Sequence, residues 1–113
     1  MLAESNVSLL MLAIPDYRQL PENGYSDEPQ RFVAQLAADA GVRFLDLTPA
    51  LRARAEIETA YLMQYDPDYA ADHDYPSAIV GYRGNGHMTA YGYHVMAEAI
   101  AEYLTDSPYW PTN

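Results

Sequence analysis

Two short apolar runs bracket one capped amphipathic segment, and this arrangement limits the folds open to the chain. Val7-Ser8-Leu9-Leu10-Met11-Leu12-Ala13-Ile14 is almost continuously apolar and stops at Pro15-Asp16. A buried helix turn competes as a reading. The length and the proline stop favour a strand buried on both faces, as in a parallel sheet. Val42-Arg43-Phe44-Leu45-Asp46-Leu47 reads as a second strand. Between them, Asp27-Glu28-Pro29 has the acid and early proline of a helix start. Phe32, Val33, Leu36, Ala37 and Ala40 then recur at helical spacing, and Gly41 stands where a left-handed cap is expected. The spacing predicts strand, crossover helix and parallel strand, joined with right-handed connectivity.

The next segments are less regular. Thr48-Pro49 suits the start of a helix, threonine capping and proline first, which would carry Leu51, Ala55, Ile57 or Glu58, and Leu62. Residues 65–78 read as irregular, and Ile79-Val80 as a short strand or packed loop. Thr89 is placed to cap a final helix, with Tyr93, Met96, Ala97, Ile100, Ala101 and Leu104 as its buried stripe. His94, Glu98 and Glu102 fall on its other face. The expected fold is α/β, a short parallel sheet with flanking helices. The expected organisation is one domain or partial domain over 1–113, ordered over 7–104, with a frayed tail at 105–113.

Composition excludes several chemistries. The formal charge is −10, so nucleic acid and anionic membrane surfaces are not expected partners. All cations are arginine, so no lysine is available for a Schiff base or a P-loop. No cysteine is present, which removes thiol nucleophiles, disulfides and thiolate zinc sites and leaves the redox compartment undetermined. Val7–Ile14 is too short to span a membrane and lacks the flanks of a signal peptide.

The candidate chemistry centres on Gly84-Asn85-Gly86-His87-Met88-Thr89. A histidine in a glycine-rich loop before a helix can present a neutral imidazole as general base. It can equally be a loop histidine that bonds backbone. Asp72-His73-Asp74 alternates carboxylate and imidazole, but in an extended segment only the two carboxylates converge, and no metal is expected. Tyr61, Tyr65, Tyr69, Tyr75, Tyr82, Tyr91 and Tyr93 crowd the stretch around His87. Rings there can line a substrate pocket, with Tyr82 and Tyr91 as candidates, or simply pack a long loop. Asp46, at a strand end, is expected to bond the amides of the next helix rather than a ligand.

Gly84–Tyr93 followed by Met96-Ala97-Glu98-Ala99-Ile100 resembles the last block of SGNH (GDSL-type) hydrolases. Ile14-Pro15-Asp16-Tyr17-Arg18-Gln19 after its apolar run, and Gly41 to Leu51, resemble the two preceding strands of that family in the same order. The resemblance covers residues 7–104. It implies the C-terminal half of a three-layer, flavodoxin-like ester hydrolase, with His87 as the catalytic histidine and no metal or organic cofactor. The family's Gly-Asp-Ser block and its glycine and asparagine oxyanion blocks have no counterpart here. Its triad aspartate falls at positions held by Asn85 and Gly84. Asn85 would then orient the imidazole, or Asp74 would replace the carboxylate from a loop. The implied function is an acyl hydrolase of small-molecule or carbohydrate esters, inactive alone and completed by a missing N-terminal half. The alternative is a non-catalytic, tyrosine-rich binding or assembly module, including a homo-oligomer.

Overall fold

The computed structural model describes residues 7–21, 24–72 and 82–106. The strand–helix–strand unit is present. Strand β1 (Leu10–Ala13) and strand β2 (Arg43–Asp46) pair in parallel, from Leu10 opposite Arg43 to Ala13 opposite Asp46. Helix α1 (Glu28–Ala40) crosses between them. The Ser26 hydroxyl accepts the Glu28 N–H, and a proline occupies the first turn. At the far end Gly41 is left-handed (φ 69°), and the Gly41 and Val42 amides bond to Ala38 and Ala37 carbonyls. These two bonds close the carbonyl ends that a helix otherwise leaves open.

The face α1 buries differs from the expected stripe. Gln30 and Ala37 are buried, Val33 is half-buried, and Phe32 (66% exposed), Leu36 and Ala40 face solvent. The spacing of apolar residues was right for a helix, but its small and polar flank meets the sheet.

A single helix reaching Leu62 does not form. Helix α2 (Thr48–Arg54) stops at Ala55, which is extended (φ −142°, ψ 147°). Glu56 and Thr59 then build a reciprocal capping box that starts the short helix α3 (Ile57–Ala60). Strand β3 (Tyr61–Tyr65) follows, burying Tyr61 and Met63 while Leu62 points out, the two-residue period of a strand. It pairs antiparallel with strand β4 (Tyr82–Met88). Residues 65–78, expected to be irregular, therefore begin with a strand end and helix α4 (Pro67–Asp72). The Asp66 carboxylate caps α4 by accepting the Asp68 and Tyr69 amides at 3.0 and 3.2 Å. That bonding, the Tyr69 amide first and the Arg83 guanidinium second, holds its pKa below the usual carboxylate value. Ile79 and Val80 lie outside the described residues.

Helix α5 (Ala90–Asp106) closes the core and runs into the expected tail. The Thr89 hydroxyl caps it by accepting the Gly92 N–H at 3.1 Å. The buried positions are Gly92, Val95 and Met96, with Ala99 and Ile100 packed behind them. Tyr93, Ala97 and Ala101, expected in the stripe, are exposed. The core unites Leu47, Leu51, Ile57, Ala60, Tyr61, Met63, Val95 and Met96 with Leu20. Leu51, with no exposure, represents about 1.5–3 kcal/mol of burial. The molecule is thus mixed α/β, with one parallel and one antiparallel pair of strands among the described residues. The core lies between β3 and the helices, and β1 contributes nothing to it.

Candidate functional site

The site begins with an irregularity in the β3–β4 ladder. Tyr65, Gln64 and Met63 pair with Tyr82, Arg83 and Gly84, but Tyr61 pairs with Met88. Between these pairs Asn85, Gly86 and His87 stand opposite Leu62 alone, so β4 has two surplus residues. Such bulges re-aim side chains next to functional sites. Gly84 (φ 153°) makes the bulge possible, because a Cβ there would come within 2.0 Å of the Leu62 carbonyl oxygen. Gly86 (φ 73°) turns the chain beside the Tyr17 ring. The expected loop histidine is therefore held near the end of a strand, two residues before the Thr89 cap of α5. Its side chain is exposed.

The Asn85 side-chain oxygen accepts the backbone N–H of His87 at 3.0 Å. It shapes the bulge, and the oxygen is directed at the chain rather than the ring. Among the described residues no side chain hydrogen-bonds the imidazole.

Asn85 and Gly86 form one wall of a cavity of about 470 Å³. The opposite wall is Ile14–Tyr17, the turn that leaves the carboxyl end of β1, and Tyr61, Met88, Tyr93 and Met96 complete it. His87 itself is outside this lining. The location matches the general rule that α/β proteins bind ligands beyond the carboxyl ends of parallel strands.

The turn is tightly specified. Asp16 accepts the Arg18 amide at 2.9 Å and grips its guanidinium with both oxygens, at 2.7 and 3.1 Å. The guanidinium holds the Asp16 carboxyl below the usual range. Arg18 also stacks 4.8 Å from the Tyr25 ring centre. Behind it, the buried Gln19 exchanges two 2.8 Å bonds with Gln30. The same amide accepts the Asp16 N–H and donates to the Ser26 carbonyl. All four of its hydrogen-bonding positions are therefore filled. Tyr61 donates its hydroxyl to the Pro15 carbonyl and meets the Tyr17 ring edge-on at 6.3 Å. Burial first, and the Asp16 charge second, push its pKa up to about 12.

The remaining candidates are placed elsewhere. Tyr91 lines a separate cavity of about 760 Å³ with Arg52, Arg54 and Thr89, and donates its hydroxyl to the Arg54 carbonyl at 2.7 Å. The larger volume is thus not the one beside the bulge. Tyr82 joins the ladder opposite Tyr65, with its side chain outside the described residues, as are His73 and Asp74. Asp46 accepts the Thr48 N–H at 2.9 Å, the helix-capping role expected of it. Among the described residues no group of three acidic or histidine side chains could hold a metal ion, and no helix is long and apolar enough to cross a membrane. Asp16 and Gln19 were not read as site residues. Their sequence signals were their position just past the end of an apolar run and their place in the Ile14–Gln19 stretch that carries part of the family resemblance. No known protein family, curated protein or solved structure matches the chain.

Proposed function

We propose that this chain is the histidine-bearing part of an SGNH-type ester hydrolase, and that its strand–helix–strand unit belongs to a three-layer, flavodoxin-like domain. The observation that supports this reading is the exposed His87 on a two-residue bulge, beside a cavity at the carboxyl end of β1. The chemistry requires a serine hydroxyl, supplied by a segment outside this sequence. As that oxygen attacks the ester carbonyl, His87 takes its proton and then returns it to the departing alcohol. A water molecule, deprotonated by the same imidazole, releases the acid and restores the serine.

The test uses the natural product of the whole coding region. It should be labelled by a serine-reactive fluorophosphonate and should hydrolyse p-nitrophenyl acetate. His87→Ala, an exposed position, should fold normally and lower kcat by about 10³-fold or more. The 113-residue chain alone should show no turnover above background. Full activity in His87→Ala, or no labelling of the natural product, would overturn the proposal. A binding module on the same scaffold is the second reading. It is supported by the exposure of Tyr91 and Tyr93, each lining one of the two cavities.

A further inference from the structure

We infer that the cavity between the Asp16 turn and the Asn85–Gly86 bulge binds a neutral, polyhydroxylated ring, a sugar unit. As a substrate site this inference rests on the hydrolase reading; as a binding site it does not.

The volume, about 470 Å³, lies within the range of small-ligand pockets, about 300–1,000 Å³. Its walls present two kinds of surface. Tyr17 and Tyr93 supply aromatic area, the buried Tyr61 stands at the base, and Met88 and Met96 supply apolar contact. Between them stand polar groups with unused capacity. The oxygen of Asn85 is occupied by the His87 amide, but its NH₂ has no partner among the described residues. The Tyr93 hydroxyl likewise has none, and its residue is 58% exposed. Of the two Asp16 oxygens, Oδ1 accepts two Arg18 bonds and Oδ2 only one, leaving Oδ2 able to accept another. The cavity therefore offers a donor pair, a donor–acceptor and an anionic acceptor around aromatic faces. A ring with hydroxyls at its edge and C–H groups on its faces satisfies both surfaces together.

Two other ligand classes fit poorly. A carboxylate or phosphate needs a cation, and among the described residues no cation lines the cavity. The nearest guanidinium, Arg18, is spent on Asp16, and the chain as a whole is at −10. A hydrocarbon tail would seal the open position of Asp16 Oδ2 and the Asn85 NH₂ away from water, which incurs the desolvation cost of those unpaired positions.

The test is an amide-resolved NMR titration of the chain with methyl α-D-glucopyranoside, sodium octanoate and inorganic phosphate. The glucoside should give saturable shifts at Tyr17, Asn85, Gly86 and Tyr93, with a Kd of about 1–10 mM. Tyr93→Ala and Asn85→Ala should each weaken binding about fivefold, and Gln35→Ala on the solvent face of α1 should leave it unchanged. Octanoate or phosphate moving these amides at lower concentration than the glucoside would overturn the inference, as would a glucoside titration without saturation. The measurement needs no serine and no turnover. A failed hydrolase reading therefore leaves a positive titration standing, and ester turnover without sugar binding would sink this inference alone.

Discussion

Gly84 and Gly86 stand two residues apart on one bulge and tolerate change differently. An alanine at 84 combines a φ of 153° with a Cβ 2.0 Å from backbone oxygen, and neither neighbour is a flexible side-chain end. Gly84→Ala should cost about 3 kcal/mol or more. At 86 the nearest atoms lie 3.6 Å away on the Tyr17 ring, so the left-handed backbone is the only penalty. Gly86→Ala should cost about 1 kcal/mol. Urea midpoints of the two variants check this, and equal losses would mean that the bulge is not built this way. Tyr61 makes a pH prediction. Its folded pKa of about 12 exceeds the unfolded value of about 10, so the native state keeps a proton the unfolded chain has lost. Its stability contribution is complete below pH 10 and is lost as pH rises towards 12, on the order of 2 kcal/mol in all. Tyr61→Phe should flatten this alkaline limb while costing about 1–2 kcal/mol at pH 8 through the orphaned Pro15 carbonyl. Denaturation at pH 8 and pH 11 separates the two effects.

At the scale of elements, α2 shows how a capping side chain can move by two residues. The threonine expected to cap it lies inside the helix, with its hydroxyl buried and unbonded among the described residues. The capping bond comes from Asp46. Thr48→Val should therefore be neutral or stabilising by up to about 1 kcal/mol, and Asp46→Ala should lose about 1 kcal/mol. Thermal midpoints of both variants test the assignment, and the reverse ranking would refute it. The β1–α1–β2 unit was legible because each part has its own local mark: an apolar run, an early proline, a left-handed glycine. The β3–β4 hairpin was not. Leu51, Ala55, Glu58 and Leu62 keep helical spacing through the break, which is made by the Glu56–Thr59 capping box rather than by a glycine or proline. The partner strand, with Gly84 and Gly86, has little strand propensity of its own and gains its geometry from β3. Spacing likewise marked α1 as a helix without revealing which flank the sheet would cover.

In the whole molecule, the site was legible only in part. His87 stood out by its glycine and threonine neighbours, but the cavity joins residues 14–17 and 61 with 85, 86, 88, 93 and 96, a proximity that no local pattern encodes. One edge of β1 bears no strand among the described residues, and Val7, Leu9, Leu12 and Ile14 (56%) remain exposed along it. No charge interrupts 7–15, so the edge lacks the usual guard against strand addition. We propose that a second copy of this chain covers it. Light scattering of this chain should give a mass above that of one copy, rising with concentration, and Leu12→Lys should restore the monomer. A wild-type monomer would show that the edge is already closed. The placement of the core has a last consequence. The wall formed by Ile14–Tyr17 belongs to a unit joined to the rest by Leu20, the Tyr61 hydroxyl bond to the Pro15 carbonyl with the Tyr17–Tyr61 ring contact, the Arg52 bonds to the Gln19 carbonyl, and β2 running on into the core at Leu47. The facing wall, from Asn85 to Met96, is anchored directly on the packed side chains of β3 and α5. In native-state hydrogen exchange the amides of β1 and α1 should open at lower free energy than those of α5. The cavity then spans a seam between a slow-exchanging and a fast-exchanging half, and its width can breathe while the core stays shut.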